Sequence, residues 1–128
     1  MATPNPIEAK PRQTLEQQRA LDAWEKADRG VAEHGKDYVN SVKGLPALIM
    51  NSGLMQTMAY LHGKGGRHET LAQHLRDWLA QQCKTPADFE DCMQALMKTE
   101  SRDFQAITSE AFAWLRWLRQ MAAARKPE

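Results

Sequence analysis

Cysteine is scarce in this chain. Only Cys83 and Cys92 occur, nine positions apart and with no C-x-x-C pair. That disfavours a disulfide scaffold and the common zinc modules, and it fits a reducing cytoplasm. Long apolar runs are also missing. The longest is Leu45–Met50, far short of the roughly 20 residues a helix needs to cross a bilayer, so no membrane partner is expected. The stretch Met1–Arg12 holds three prolines and no apolar core, and does not read as a secretory signal. Net charge is nearly absent: 17 Lys+Arg against 16 Asp+Glu leave +1. A protein that grips nucleic acid alone through phosphate contacts is usually far more basic. β-Branched residues are few, and nothing alternates with a strand period for more than a few residues, which argues against a sheet.

What is there is ordinary globular composition. The chain has 128 residues, 42% of them apolar and 26% charged, enough for one domain whose core needs neither metal nor cross-link. Charge is segregated along it. Residues 43–84 hold five basic groups against two acidic, 87–110 hold six acidic against two basic, and 111–128 hold four basic against one acidic. Such segregation suits a protein lying between a polyanion and other proteins.

Helical periodicity dominates. Residues 1–13, with Pro4, Pro6 and Pro11, read as a mobile arm, and 125–128 as a tail, leaving 14–124 as a single helical domain. Thr14 reads as the N-cap of a first helix over about 14–33, on which Ala20, Trp24, Ala27 and Val31 mark an apolar stripe. Gly30 and Gly35 point to a break and a short helix over 36–43. Pro46 suits the first position of a new helix. Its segment, about 46–62, is apolar nearly all round and reads as a buried central helix, with Gly53 kept for a close helix approach. Gly63–Arg67 reads as a flexible basic loop. A helix over 68–83 follows, then a capping box with Thr85 as N-cap, Pro86 at N1 and Asp88 at N3. The fifth helix places Phe89, Cys92, Met93, Leu96 and Met97 on one stripe. The last, 102–123, steps by three and four through Phe104, Ile107, Ala111, Trp114, Leu118 and Met121. The expected architecture is all-α, five or six helices packed around the 46–62 helix.

Catalytic constellations are hard to find. His34, His62, His68 and His74 include no i,i+4 pair of the kind that grips zinc from one helix face. His74 reads as a solvated residue on an outer face. Both cysteines sit near apolar stripes, where the residue acts as a small hydrophobe. No catalytic residue, metal ligand or cofactor is therefore assigned. The GKGGR loop lacks the P-loop pattern, yet its amides, Lys64 and Arg67 can meet a phosphate. Arg12, Arg19 and Lys26 recur every seven residues, as do Arg29, Lys36 and Lys43. However, Asp22 and Glu25 stand four before Lys26 and Arg29, so a salt-laced solvated face is the better reading. Arg116 and Arg119 on the last helix, with Trp117 at their margin, suit RNA backbone and base or a partner protein. The candidate RNA-facing set is Lys64, Arg67, Arg116, Arg119, Arg19 and Lys26.

Two segments carry a family resemblance. LPALIMNSGLMQTMAYL (45–61) resembles the central motif of the Cmr small-subunit family of type III-B CRISPR RNA-silencing complexes, through Leu45-Pro46, Asn51, Gly53-Leu54, Gln56-Thr57 and Tyr60. EAFAWLRWLRQMA (110–122) is similar to the family's closing helix. The resemblance covers about 14–124. It implies a non-catalytic scaffold subunit, stacked in several copies beside backbone subunits that hold the CRISPR RNA, and lining the groove where target RNA pairs with the guide. Cutting would belong to the backbone subunit and nucleotide signalling to the large subunit. A stand-alone helical protein-protein adaptor is the alternative that the mixed charge permits, and a small enzyme built on the histidines or cysteines a more distant one.

Overall fold

Three glycines set the chain's path. Gly35, Gly53 and Gly65 each close one helix and open the next, at φ of 60°, 83° and 68°. Each returns its N–H to the carbonyl four residues back, on Val31, Ile49 and Leu61 respectively. The computed structural model describes residues 12–125, which form six helices and no strand: α1 Leu15–His34, α2 Lys36–Ser52, α3 Leu54–Lys64, α4 Gly66–Cys83, α5 Phe89–Lys98 and α6 Ser101–Ala124. The expected arm over 1–13 and tail over 125–128 fall largely outside the described residues.

The ends of α1, α4 and α6 agree with the periodicity to within two residues. Thr14 caps α1 in a capping box, its hydroxyl accepting from the Gln17 N–H while the Gln17 side chain accepts from the Thr14 N–H. The middle of the chain differs from expectation. Pro46 does not begin a helix but lies inside α2. Proline's φ is already helical; its cost is one lost hydrogen bond and a ring clash, about 3 kcal/mol, opposed here by burial of Val42, Leu45 and Ile49 on either side. The break falls instead at Gly53, whose φ of 83° and ψ of 163° only glycine adopts readily. The expected 46–62 helix is thus the end of α2 and most of α3.

That segment is not buried all round. Leu48, Met50 and Tyr60 are exposed, Met50 to 77%. The central element is α4, which touches all five other helices and buries Leu71, Ala72, Leu75, Trp78 and Leu79. Nor is Gly53 a close-approach site, since a Cβ there would meet nothing within 4 Å. Gly30 is: a Cβ on it would lie 2.3 Å from the Tyr38 ring, so the absence of a side chain lets α1 seat the start of α2. The anticipated basic loop over 63–67 is a helix junction one glycine wide.

Two further expectations are corrected. Thr85 does not cap α5; Asp88 does, its carboxylate accepting from the Asp91 N–H at 3.1 Å. The Gln73 and Arg76 side chains hold the Ala87 carbonyl, at 3.2 and 3.0 Å, and so fix the linker ahead of the cap. His74 is not solvated. It is buried against the Tyr38 hydroxyl at 2.8 Å. Of the stripe residues, Trp24 and Met97 are exposed, Trp24 lying under the Arg125 guanidinium at 3.7 Å.

The α1–α6 seam is polar inside. Arg19 pairs with Glu110, Asp22 with Trp114 and Asp28 with Arg125. These pairs tie most of the length of α1 to α6.

Candidate nucleic-acid interface

The inner face of α2 is set by Tyr38, Val42, Leu45 and Ile49, all buried. At 3.6 residues per turn the opposite face carries Lys36, Asn40, Lys43, Ala47 and Asn51, all exposed. One flank of that face meets α4. The Arg67 Nε donates to the Ser41 hydroxyl at 3.1 Å, and its guanidinium lies 3.8 Å from Asp37. The other flank meets α6. There Pro46 and Met50, with Phe112, Leu115, Arg116 and Arg119, line a groove of about 440 Å³. Arg67 on one side and Arg116 with Arg119 on the other therefore bracket the solvent face of α2, on which Lys36 and Lys43 stand.

These cations are largely unneutralised. Lys36, Lys43, Lys64, Arg116 and Arg119 make no ion pair among the described residues. Lys64 ends α3, exposed, with its ammonium 5.7 Å from the centre of the exposed Tyr60 ring. Beside it His68 is held below the usual histidine value, first by burial and then by the Arg67 and Lys64 charges.

Arg19 and Lys26 are placed differently. The Arg19 guanidinium makes two bonds to Glu110, at 2.8 and 2.7 Å, and one to Glu16 at 2.6 Å. Lys26 is buried, and its ammonium donates to Asp22 at 2.9 Å. The same carboxylates accept indole N–H groups: Glu110 from Trp78 at 3.1 Å, Asp22 from Trp114 at 2.8 Å and Glu16 from Trp117 at 2.9 Å. Both cations thus serve the α1–α6 seam, and Trp117 belongs to it too. Sequence reasoning found the Asp22–Lys26 spacing but read it as a solvated face.

Lys36 and Lys43, which recur with Arg29 every seven residues, stand on this face but are absent from the candidate set drawn from sequence. A signal for the patch was present: between Asp37 and Glu69 the chain has no acidic residue at all. The histidines and cysteines lie apart from one another, each against its own neighbours among the described residues. His34 meets the Thr70 hydroxyl at 2.9 Å, His62 stacks on Phe89 at 3.8 Å, and burial raises both thiol pKa values. Among the described residues no three His, Cys, Asp or Glu side chains cluster as a metal site would require, and no helix is long and apolar enough to cross a membrane.

A family model described as "CRISPR-associated protein (Cas_Cmr5)" matches residues 15–125. The chain belongs to the Cmr5 family. Its fold is also that of a solved relative, the crystal structure of a CRISPR-associated Cmr5 family protein from Thermus thermophilus. The two share 25% identity with a TM-score of 0.75, over 90% of this chain and 100% of that one. As a Cmr5 member the chain is a subunit of the Cmr complex of type III-B CRISPR systems and associates with other subunits of that complex. The Cmr5-like motif at 45–61 straddles the Gly53 hinge. Leu45, Ile49, Leu54, Thr57, Met58 and Leu61 face inward, while Asn51, Gln56 and Tyr60 are exposed. Half of the motif is surface, although its apolar content suggested core.

Proposed function

We propose that this Cmr5 chain is a non-catalytic, cytoplasmic scaffold. Several copies stack along the backbone of the complex, and the α2 face lines the groove in which guide RNA pairs with target RNA. The observation that carries this reading is a lane of cations: Lys64, Lys36, Lys43, Arg116 and Arg119 make no ion pair among the described residues, and Arg67 between Lys64 and α2 has only Asp37, at 3.8 Å. Such a lane meets phosphates without reading bases, and sequence is left to the paired strands. A net charge of +1 is enough because the chain never binds RNA alone. Neighbouring subunits supply effective concentration, and a few phosphate contacts per copy add along the filament.

The reading is tested by purifying the tagged chain from its native host and sequencing the RNA that accompanies it. Recovery of Cmr backbone and large subunits with CRISPR-derived guide RNA is expected. Recovery of the chain alone, or with unrelated proteins and no guide RNA, would contradict it and favour a stand-alone adaptor.

A further inference from the structure

A second cavity lies away from the basic lane, where the end of α4 meets the end of α5 and the start of α6. It is a cleft of about 530 Å³, open to solvent, with Cys83, Lys84, Thr85, Asp103 and Glu110 in its wall. Four features make that wall rich in acceptors. Thr85 is only 7% exposed and its hydroxyl has no hydrogen-bond partner among the described residues, which leaves a buried polar group unsatisfied. The α4 C-terminus differs from the other five. Gly35, Gly53, Gly65, Thr99 and Arg125 each return a backbone N–H to their helix, whereas Lys84 returns none, so the last carbonyls of α4 are left open at the negative end of its dipole. Asp103 is exposed and in no ion pair among the described residues. Glu110 receives three N–H groups, from Arg19 twice and Trp78 once, while a carboxylate offers about four acceptor sites.

We infer that this cleft receives an arginine side chain from a partner protein. A guanidinium is planar, carries five donors and is weakly hydrated, so one side chain can satisfy carbonyl, hydroxyl and carboxylate acceptors together. Phosphate is excluded by the same wall, which separates this site from the RNA-facing lane. Lys84 is the single cation in the wall; it is exposed, at a left-handed φ of 63°. The Cys83 thiol reports the field, with its pKa raised first by burial and then by the Glu110 charge.

The test is a titration of the full chain, followed by backbone amide shifts, with acetyl-Gly-Arg-Gly-amide. The same peptides with lysine or with uncharged citrulline serve as comparators. Shifts confined to Cys83–Thr85, Thr99 and Asp103 are expected, with citrulline binding about tenfold more weakly than arginine because the charge-assisted bonds are lost. Thr85→Val and Asp103→Asn should each weaken the arginine peptide severalfold, and Lys84→Ala should tighten it. Thr85→Val should not lower the melting temperature, since its hydroxyl has no protein partner to lose. Absent shifts, shifts elsewhere, or equal binding of arginine and citrulline would overturn the assignment. So would a Thr85→Val chain that melts earlier yet binds the peptide unchanged, since the hydroxyl would then be satisfied by water alone.

Discussion

Lys26 and Lys43 are the same residue type, both on helices, both members of a seven-residue series, and they end in opposite places. Lys26 is buried on Asp22 within the α1–α6 seam. Lys43 stands exposed on the outer face of α2, in no ion pair among the described residues. The difference lies in their neighbours. In α1 a carboxylate precedes Lys26 by four residues, and that carboxylate also accepts from the Trp114 indole, so the pair can be drawn inside with its lone pairs filled. Around Lys43 no acid exists from Tyr38 to His68, and the charge can only face water or an anion. The spacing of cations along a helix therefore does not tell which of them are available to a ligand; the acids and indoles around them do.

The largest effect expected from this contrast is at Asp22. Asp22→Ala leaves Lys26 charged, buried and unpaired, and strips Trp114 of its acceptor. It should cost about 3–5 kcal/mol, the range for breaking a buried pair by removing one partner, measured by urea denaturation. A loss below about 0.5 kcal/mol, ordinary for a surface site, would place that pair in solvent and dissolve the contrast.

A steric version comes next. Gly30→Ala puts a Cβ 2.3 Å from the Tyr38 ring and should cost about 1–3 kcal/mol by overpacking, read from the shift in melting temperature. Gly53 is the natural comparison. It has open space but a left-handed φ of 83°, so replacement there strains the backbone and not the packing.

The interior also predicts a pH response. Burial, with the Lys26 charge second, holds His74 neutral down to about 4, against 6.5 when unfolded. Below pH 6.5 the unfolded chain takes up a proton that the folded chain refuses. Stability from this group is therefore complete above 6.5 and declines as pH falls towards 4. Melting temperature against pH should slope in that window and lose part of the slope in His74→Gln. An unchanged profile would mean that His74 protonates freely in the fold.

Much of the fold was legible in the sequence. The helices whose faces alternate cleanly, α1, α4 and α6, were placed to within two residues, because periodicity reports burial on one side directly. The centre was misread for a specific reason. Periodicity alone makes Pro46 the interruption and Gly53 a packing device, whereas Pro46 fits a helical φ and Gly53 takes a φ that ends one. Exposed Met50 and Tyr60 were assigned to the core because apolarity does not distinguish a buried face from an uncovered one. Of the proposed lane, charge alone nominates Lys64, Arg67, Arg116 and Arg119. It does not give their convergence on α2, which depends on how α4 and α6 flank that helix.

The outermost residues give the smallest effect on folding and the most direct test of the account. Lys43→Ala, Arg116→Ala and Arg119→Ala together should leave stability within about 0.5 kcal/mol per site. In a reconstituted Cmr complex, target-RNA affinity measured against salt concentration should lose about two to three units of slope for three phosphate contacts. A slope identical to that of the unaltered complex would contradict the claim that the α2 lane faces the RNA.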